Sequence, residues 1–313
     1  MTNNLSMIFA ADVSGEPPVD FSNEYRKYTQ FQQLGAVGGK AELLVCKDAN
    51  LGRPVVLKKV RKDVPNYEKE LSRLLREARI TAQLQHPATV PLYEIGQDDK
   101  GDWYFAMKKI EGQTLFEIIV GLYNRDESIE QHFNLTRLLN IFRQVCDAMS
   151  YAHSRGVIHR DIKPENIIVG MFGEVTLIDW GVAKVWGMPN EGDEQKGVDR
   201  GGTPLYMSPE QILGHKPVDE RTDVFSMGIV LYEMMTQREP FRGATIQETF
   251  NNIINEDPIE PRKAAPHRFI PVTIEQICLK AIAKEPSDRF QSMDGMAEAI
   301  NKFQNEALMR GSV

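Results

Sequence analysis

His159-Arg160-Asp161-Ile162-Lys163-Pro164-Glu165-Asn166, followed by Asp179-Trp180-Gly181, is the part of the chain from which the rest can be read. Between the two motifs, Ile167-Ile168-Val169 and Val175 to Ile178 read as short apolar strands joined by a turn from Gly170 to Gly173. A hairpin of that length brings its ends together. Asn166, just before the first strand, and Asp179, just after the second, are then expected side by side, two oxygen-bearing side chains suited to a hard divalent cation. Asp161 supplies a separate carboxylate that can accept a proton from an incoming hydroxyl. A single Asp is more often a turn or cap residue than a catalyst; the ordered set is what carries meaning.

The set resembles the catalytic and metal-binding loops of the protein-kinase family, H-R-D-x-K-x-x-N and then D-F-G. Trp180 stands at the Phe place, where it fills the same apolar slot with more volume and adds an N–H that needs a partner. The resemblance covers about residues 28 to 305 and implies an α+β, two-lobed protein-kinase-like fold, with a small β-rich N-lobe and a larger helical C-lobe. The domain organisation it implies is a flexible leader at 1–24 and a kinase domain at 25–313, with the N-lobe at about 25–111 and the C-lobe at about 112–313.

Composition sets the outer limits. The 313 residues suffice for one large domain or two lobes, and 42% hydrophobic with 26% charged residues is ordinary for a soluble globular protein. A formal charge of −7 argues against a nucleic-acid surface, which needs a basic stripe. Cys46, Cys146 and Cys278 are far apart, odd in number and without metal-ligand spacing, which reads as buried thiols in a reducing, cytoplasmic compartment. The start of the chain lacks the basic residue of a secretory signal, and no apolar run has the length of a membrane span.

Residues 1 to about 24 are polar and aperiodic, and order is expected from Tyr25. Leu34 to Glu42 is a Gly-rich turn between apolar segments, whose backbone N–H groups can approach phosphates where a Cβ would obstruct. It is similar to the bacterial form of the family's Gly-rich loop with one extra residue, so Gly35, Gly38 and Ala41 take the three glycine places. In Pro54 to Val60, alternation puts Val56, Lys58 and Val60 on one strand face and Lys59 on the opposite one; a lysine in a strand is usually just solvated, and Lys58 stands out only beside the other motifs. Asn66 is suited to cap a helix whose stripe is Leu71, Leu74, Leu75, Ala78 and Ala82, closed by His86-Pro87. Strands are expected around Val90 to Gly96 and Trp103 to Met107.

Beyond Gly112 the pattern becomes helical. Leu135 to Gly156 has apolar groups at three-to-four spacing and ends at a glycine. Thr222 to Thr236 is apolar nearly all round, the mark of a helix inside a core, and amphipathic helices are expected at about 273 to 284 and 293 to 309. By resemblance, Asp223 holds the catalytic-loop backbone and Arg289 pairs with Glu210 of Ser208-Pro209-Glu210.

The resemblance also implies the chemistry. Lys58, paired with Glu77, holds the α and β phosphates of ATP; Asn166 and Asp179 hold Mg²⁺; Asp161 orients the acceptor hydroxyl; and Lys163 lies near the transferred phosphate. Nucleotide contacts are expected from Gly35, Gly38, Gly39, Ala41, Val56, Lys58, Met107, Lys108, Ile110 and Ile168. Lys163 and Gly202-Thr203-Pro204 go with serine/threonine acceptors on protein substrates, and the match is closest to bacterial kinases. Between Asp179 and Gly202 there is no Ser, Thr or Tyr, but there are Glu191, Asp193, Glu194 and Asp199. One of these carboxylates, or none, is expected to balance Arg160, so that activity does not depend on loop phosphorylation. Modification of Thr203 is expected to inhibit. The alternative is a nucleotide-binding pseudokinase scaffold, motivated by the altered Gly-rich turn; the oligomeric state stays open.

Overall fold

The computed structural model of the chain describes residues 25–34, 40–186, 202–214 and 218–309. These residues fall into two compact units, one drawn from Met1–Glu111 with Asp179–Gly181, the other from Gly112–Ile178 with Val182–Val313. The expected leader, the glycines Gly35, Gly38 and Gly39, and the acidic residues 191 to 199 lie outside the described residues.

In the first unit, β1 (Tyr28–Gln33), β2 (Ala41–Asp48) and β3 (Arg53–Val60) precede α1 (Tyr67–Gln83), and β4 (Leu92–Gln97) and β5 (Trp103–Lys108) follow it. The strands form one antiparallel sheet in the order β1-β2-β3-β5-β4. Alternation along β3 splits its side chains between two cores. Val60 packs with Leu71, Leu74, Leu75 and Ala78 of α1, whereas Val55 and Leu57 pack with Tyr28, Cys46 and Tyr104 on the opposite side.

Lys59 lies on the strand face opposite Lys58, as expected; its side chain is buried, and Nζ donates to Asp98 Oδ2 at 2.8 Å, because a carboxylate on the same face compensates the burial. Two local expectations change here. Asn66 occupies the position before α1 but makes no side-chain cap, since its backbone is left-handed (φ 58°) and not extended as a capping residue requires. Ala82 is exposed and Thr81 takes its place in the buried stripe, which follows from the 3.6-residue turn when the count runs three residues on from Ala78.

In the second unit, β6 (Gln113–Thr114) leads into α2 (Leu115–Tyr123), α3 (Glu127–His132), α4 (Leu135–Ser154) and β7 (Val157–Ile158). The hairpin β8 (Ile167–Val169) and β9 (Val175–Leu177), then β10 (Lys184–Val185) and α5 (Pro209–Leu213), follow. After them come α6 (Arg221–Thr236), α7 (Ile246–Asn255), α8 (Pro261–Ala264), α9 (Val272–Ala281) and α10 (Met293–Met309). Asn134 caps α4 by accepting from Arg137 N, and Gly156 after its end has φ 76°, a conformation glycine adopts without a Cβ clash. α6 is buried on every side, including Val224, Phe225, Ile229, Leu231 and Met234, as its uniform hydrophobicity requires. The β8/β9 hairpin pairs Ile167 with Leu177 and Val169 with Val175.

No helix among the described residues is long and apolar enough to cross a membrane. The three cysteines are buried and free.

Candidate active site

β3 turns Lys58 toward α1, where Glu77 lies on the buried side of the helix. Lys58 Nζ donates to Glu77 Oε1 at 2.6 Å and Oε2 at 2.8 Å, and approaches Asp179 Oδ1 at 3.4 Å. Burial pulls the Lys58 ammonium down, but the Glu77 and then the Asp179 carboxylate outweigh it and hold the group above its ordinary value. Burial pushes Glu77 upward, the ammonium pulls it back, and Asp179 adds to the rise. Lys58 is therefore a fixed cation between two carboxylates. Asp179 has a left-handed backbone (φ 66°), and its side chain remains 45% exposed. Gly181 packs tightly against the pair: a Cβ there would meet Glu77 Oε2 at 3.1 Å and Asp179 Oδ1 at 3.2 Å, so both carboxylates would have to give by a few tenths of an ångström. Trp180 between them is buried, as a Phe replacement should be.

In the second unit the loop from His159 to Asn166 is held by its backbone. Asp223, at the start of α6, accepts from His159 N at 2.9 Å and from Arg160 N at 2.8 Å. Its Oδ2 also lies 2.8 Å from His153 Nε2. This fixes Asp161, whose Oδ1 accepts from Thr203 N at 2.6 Å and from the Thr203 hydroxyl at 2.8 Å. Lys163 Nζ donates to Asp161 Oδ2 at 2.7 Å and to Thr203 Oγ1 at 2.6 Å. Asn166 Nδ2 donates to the Asp161 carbonyl at 3.0 Å, which turns the amide oxygen away from that bond. Across the hairpin, Ile178 N donates to the Asn166 carbonyl at 2.9 Å.

The loop that carries Thr203 is tied down in the same region. Gly202 has φ 111°, and a Cβ there would lie 2.6 Å from the Arg160 carbonyl. That carbonyl also accepts from Gln211 Nε2 at 3.1 Å. Arg160 Nε donates to the Val182 carbonyl at 2.7 Å. Behind it, Glu210 and Arg289 form a fully buried bidentate pair at 2.8 and 2.9 Å.

The site residues expected from sequence therefore fall in two groups. The first unit holds Lys58, Glu77 and Asp179 together, with Val56 paired to Met107 in neighbouring strands, Ala41 opening β2, and Lys108 and Ile110 at and after the end of β5. The second holds Asp161, Lys163, Asn166 and Thr203 together, with Ile168 in β8. Two supporting residues escaped the sequence reading: His153, which shares Asp223, and the Gln211 amide behind Arg160. The Ser208-x-x-Gln211 capping box was a readable signal for the second, since it fixes Gln211 at the start of α5.

The protein kinase domain family matches residues 28–301 of the chain, nearly all of it. This chain belongs to the protein kinase family. Its relatives include serine/threonine-protein kinase PknD of Protochlamydia amoebophila, 34% identical over 284 residues, which are 85% of this chain and 29% of that protein. PknD of Chlamydia muridarum is 35% identical over 298 residues, 88% of this chain and 31% of the relative. PknD of Chlamydia trachomatis serovar D is 34% identical over 301 residues, 89% and 32% respectively. The chain thus spans about three tenths of the length of these relatives. The protein-kinase resemblance and the α+β fold expected from it are borne out.

Protein kinases generally use ATP and Mg²⁺. The residue types suit that metal: Asp179 in the first unit offers a half-exposed carboxylate, and Asn166 in the second an amide oxygen, both hard oxygen donors. No cluster of three or more His, Cys, Asp or Glu suited to a metal occurs among the described residues. Mg²⁺ does not need one, because phosphates and water complete its shell.

Proposed function

We infer that this protein kinase transfers the γ-phosphoryl group of ATP to serine and threonine hydroxyls of protein substrates. The observation that carries this reading is the Asp161 carboxylate, held on one oxygen by Thr203 and on the other by Lys163. A carboxylate fixed in this way can orient an acceptor hydroxyl and take its proton as the O–P bond forms and the bond to the leaving ADP oxygen breaks. Lys163 is a positioned cation beside it, suited to the negative charge on the transferred group. Lys58, kept charged by Glu77, steadies the α and β phosphates. Asn166 and Asp179 are the residues that would hold Mg²⁺, which when bound neutralises phosphate charge. Val56, Ala41, Met107, Lys108, Ile110 and Ile168 would contact the nucleotide, as would the backbone of Gly35, Gly38 and Gly39.

On this reading the kinase domain runs over 25–313, with lobes at about 25–111 and 112–313 and a leader at 1–24. The three free, buried cysteines support a reducing, cytoplasmic setting. The acidic charge balance supports protein and not nucleic-acid partners. The loop between Asp179 and Gly202, without Ser, Thr or Tyr, supports activity independent of its phosphorylation; phosphatase treatment of the pure protein should leave activity intact, and a large loss would overturn that part. No observation favours the pseudokinase alternative.

The test compares wild type with Asp161→Asn for autophosphorylation and for transfer to a generic basic protein with ATP and Mg²⁺. Transfer to Ser/Thr that vanishes in the variant is expected. Folded wild type that binds ATP and transfers nothing would overturn the reading.

A further inference from the structure

Away from the catalytic loop, the second unit contains a cavity of about 600 Å³ formed where three segments converge: the turn after α2, the C-terminal end of α6 and the loop before α9. Arg125, Glu130, Gln237, Arg238, His267 and Arg268 line it. In a chain of net charge −7, this wall sets three guanidinium groups against one carboxylate. Among the described residues, the side chains of Arg125, Arg238 and Arg268 make no hydrogen bond or close ion pair.

Nearby carboxylates are committed elsewhere. Asp126 caps α3 by accepting from Ser128 N and Ile129 N, and Glu239 pairs with Arg242. Glu130 acts on Arg268 only at longer range. Burial pushes the Arg268 guanidinium below its ordinary value, and Glu130 restores only part of that. Gln237 Nε2 is buried without a hydrogen-bond partner among the described residues. The buried Gln237 donor costs free energy unless an acceptor meets it, and three guanidinium groups gathered on one wall attract an anion.

We propose that this cavity binds a small phosphorylated molecule, whose phosphomonoester or diphosphate group is held by Arg125, Arg238 and Arg268 with the Gln237 amide donating to it. The guanidinium fork matches phosphate oxygens two at a time, and a dianion balances the excess positive charge on the wall. The volume lies within the range of small-molecule sites. Apolar side chains contribute little beyond Leu122 and Tyr123, so a lipid tail finds no matching surface. The site goes beyond the kinase reading and does not depend on it.

Inorganic phosphate and inorganic pyrophosphate are the probes, titrated calorimetrically and by thermal unfolding at fixed ionic strength, without Mg²⁺. Wild type should bind at least one of them saturably, with a rise in unfolding temperature. Preference between the two distinguishes a monoester from a diphosphate ligand. Arg238→Gln/Arg268→Gln should weaken binding at least tenfold, and Arg125→Gln, at an exposed rim position, should weaken it in a fold that the double change has not touched. Lys58→Met should bind like wild type, which separates this cavity from the nucleotide site. Binding that survives the arginine changes, that disappears in Lys58→Met, or that is absent from wild type at millimolar probe would overturn the proposal.

Discussion

Thr203 grips one oxygen of Asp161 with two of its own atoms, the backbone N–H at 2.6 Å and the hydroxyl at 2.8 Å. Lys163 closes the triangle by donating to the other Asp161 oxygen and to the Thr203 hydroxyl. The threonine hydroxyl thus donates and accepts at once, a role that serine can fill and valine cannot.

Thr203→Val should lower kcat by about 10- to 100-fold, the loss expected for a hydrogen bond to a charged group, with the KM for ATP little changed. Thr203→Ser should keep most of the activity. Phosphate on Thr203 would set a dianion against Asp161 and should abolish transfer. Steady-state kinetics of the two variants decide the matter, and a Thr203→Val enzyme with normal kcat would contradict the role given to this contact.

The Lys58–Glu77 pair is short, bidentate and mostly buried. Glu77→Ala leaves the ammonium with Asp179 alone and should destabilise the protein by about 3 kcal/mol, whereas Lys58→Met/Glu77→Leu should recover much of that loss. Both should be inactive or nearly so. Denaturant unfolding measures the first effect, and a Glu77→Ala midpoint equal to wild type would remove the pair from the stability argument.

Arg289 spends its guanidinium on Glu210 and on the carbonyls of Ala283, Lys284 and Arg221, all at 2.8 to 2.9 Å. It also lies over the Phe225 ring, 4.8 Å from the centroid. Arg289→Ala should cost about 3 to 5 kcal/mol, because it leaves a buried carboxylate unpaired. Arg289→Lys should also be costly, since an ammonium lacks the planar fork. Equal unfolding temperatures for Arg289→Lys and wild type would sink this account.

Glu233, buried in α6, accepts from the Tyr206 hydroxyl at 2.6 Å. Burial raises its carboxyl to about 7; the Tyr206 bond pulls it down, and Glu239 and Glu165 push it up. A folded-state value above the unfolded one means that the native state holds the proton more tightly. The stabilisation is then complete below the unfolded value, near 4.3, and is lost as pH rises through about 7, up to about 3 kcal/mol in all. Glu233→Gln should keep the Tyr206 bond and remove this slope, so its stability relative to wild type should rise between pH 5 and 8, on the order of 1 to 3 kcal/mol. Parallel pH dependences of the two proteins would contradict the shift.

Much of the site was legible because it is local. The β8/β9 hairpin follows from two apolar triplets around a Gly-bounded turn, and Lys58 follows from period-2 alternation in β3. The partner of Lys59 was not legible for a physical reason: Asp98 is 39 residues away, and alternation gives a face without saying what lies on it. Ala82 was misplaced because steps of four drift around a 3.6-residue helix. The cluster of Arg125, Arg238 and Arg268 left no sequence signal at all, since each comes from a separate segment.

By itself the sequence determined the family, the α+β class, the order of the main strands and long helices and the identity of the charged residues, because short-range periodicity and motif order are written along the chain. Tertiary structure decided which groups meet. Asp223 reaches Arg160 N across 63 residues, Thr203 reaches Asp161 across 42 and Arg289 reaches Glu210 across 79. Hydrogen bonds form within about 3 Å, and only packing of the whole unit brings such distant atoms that close.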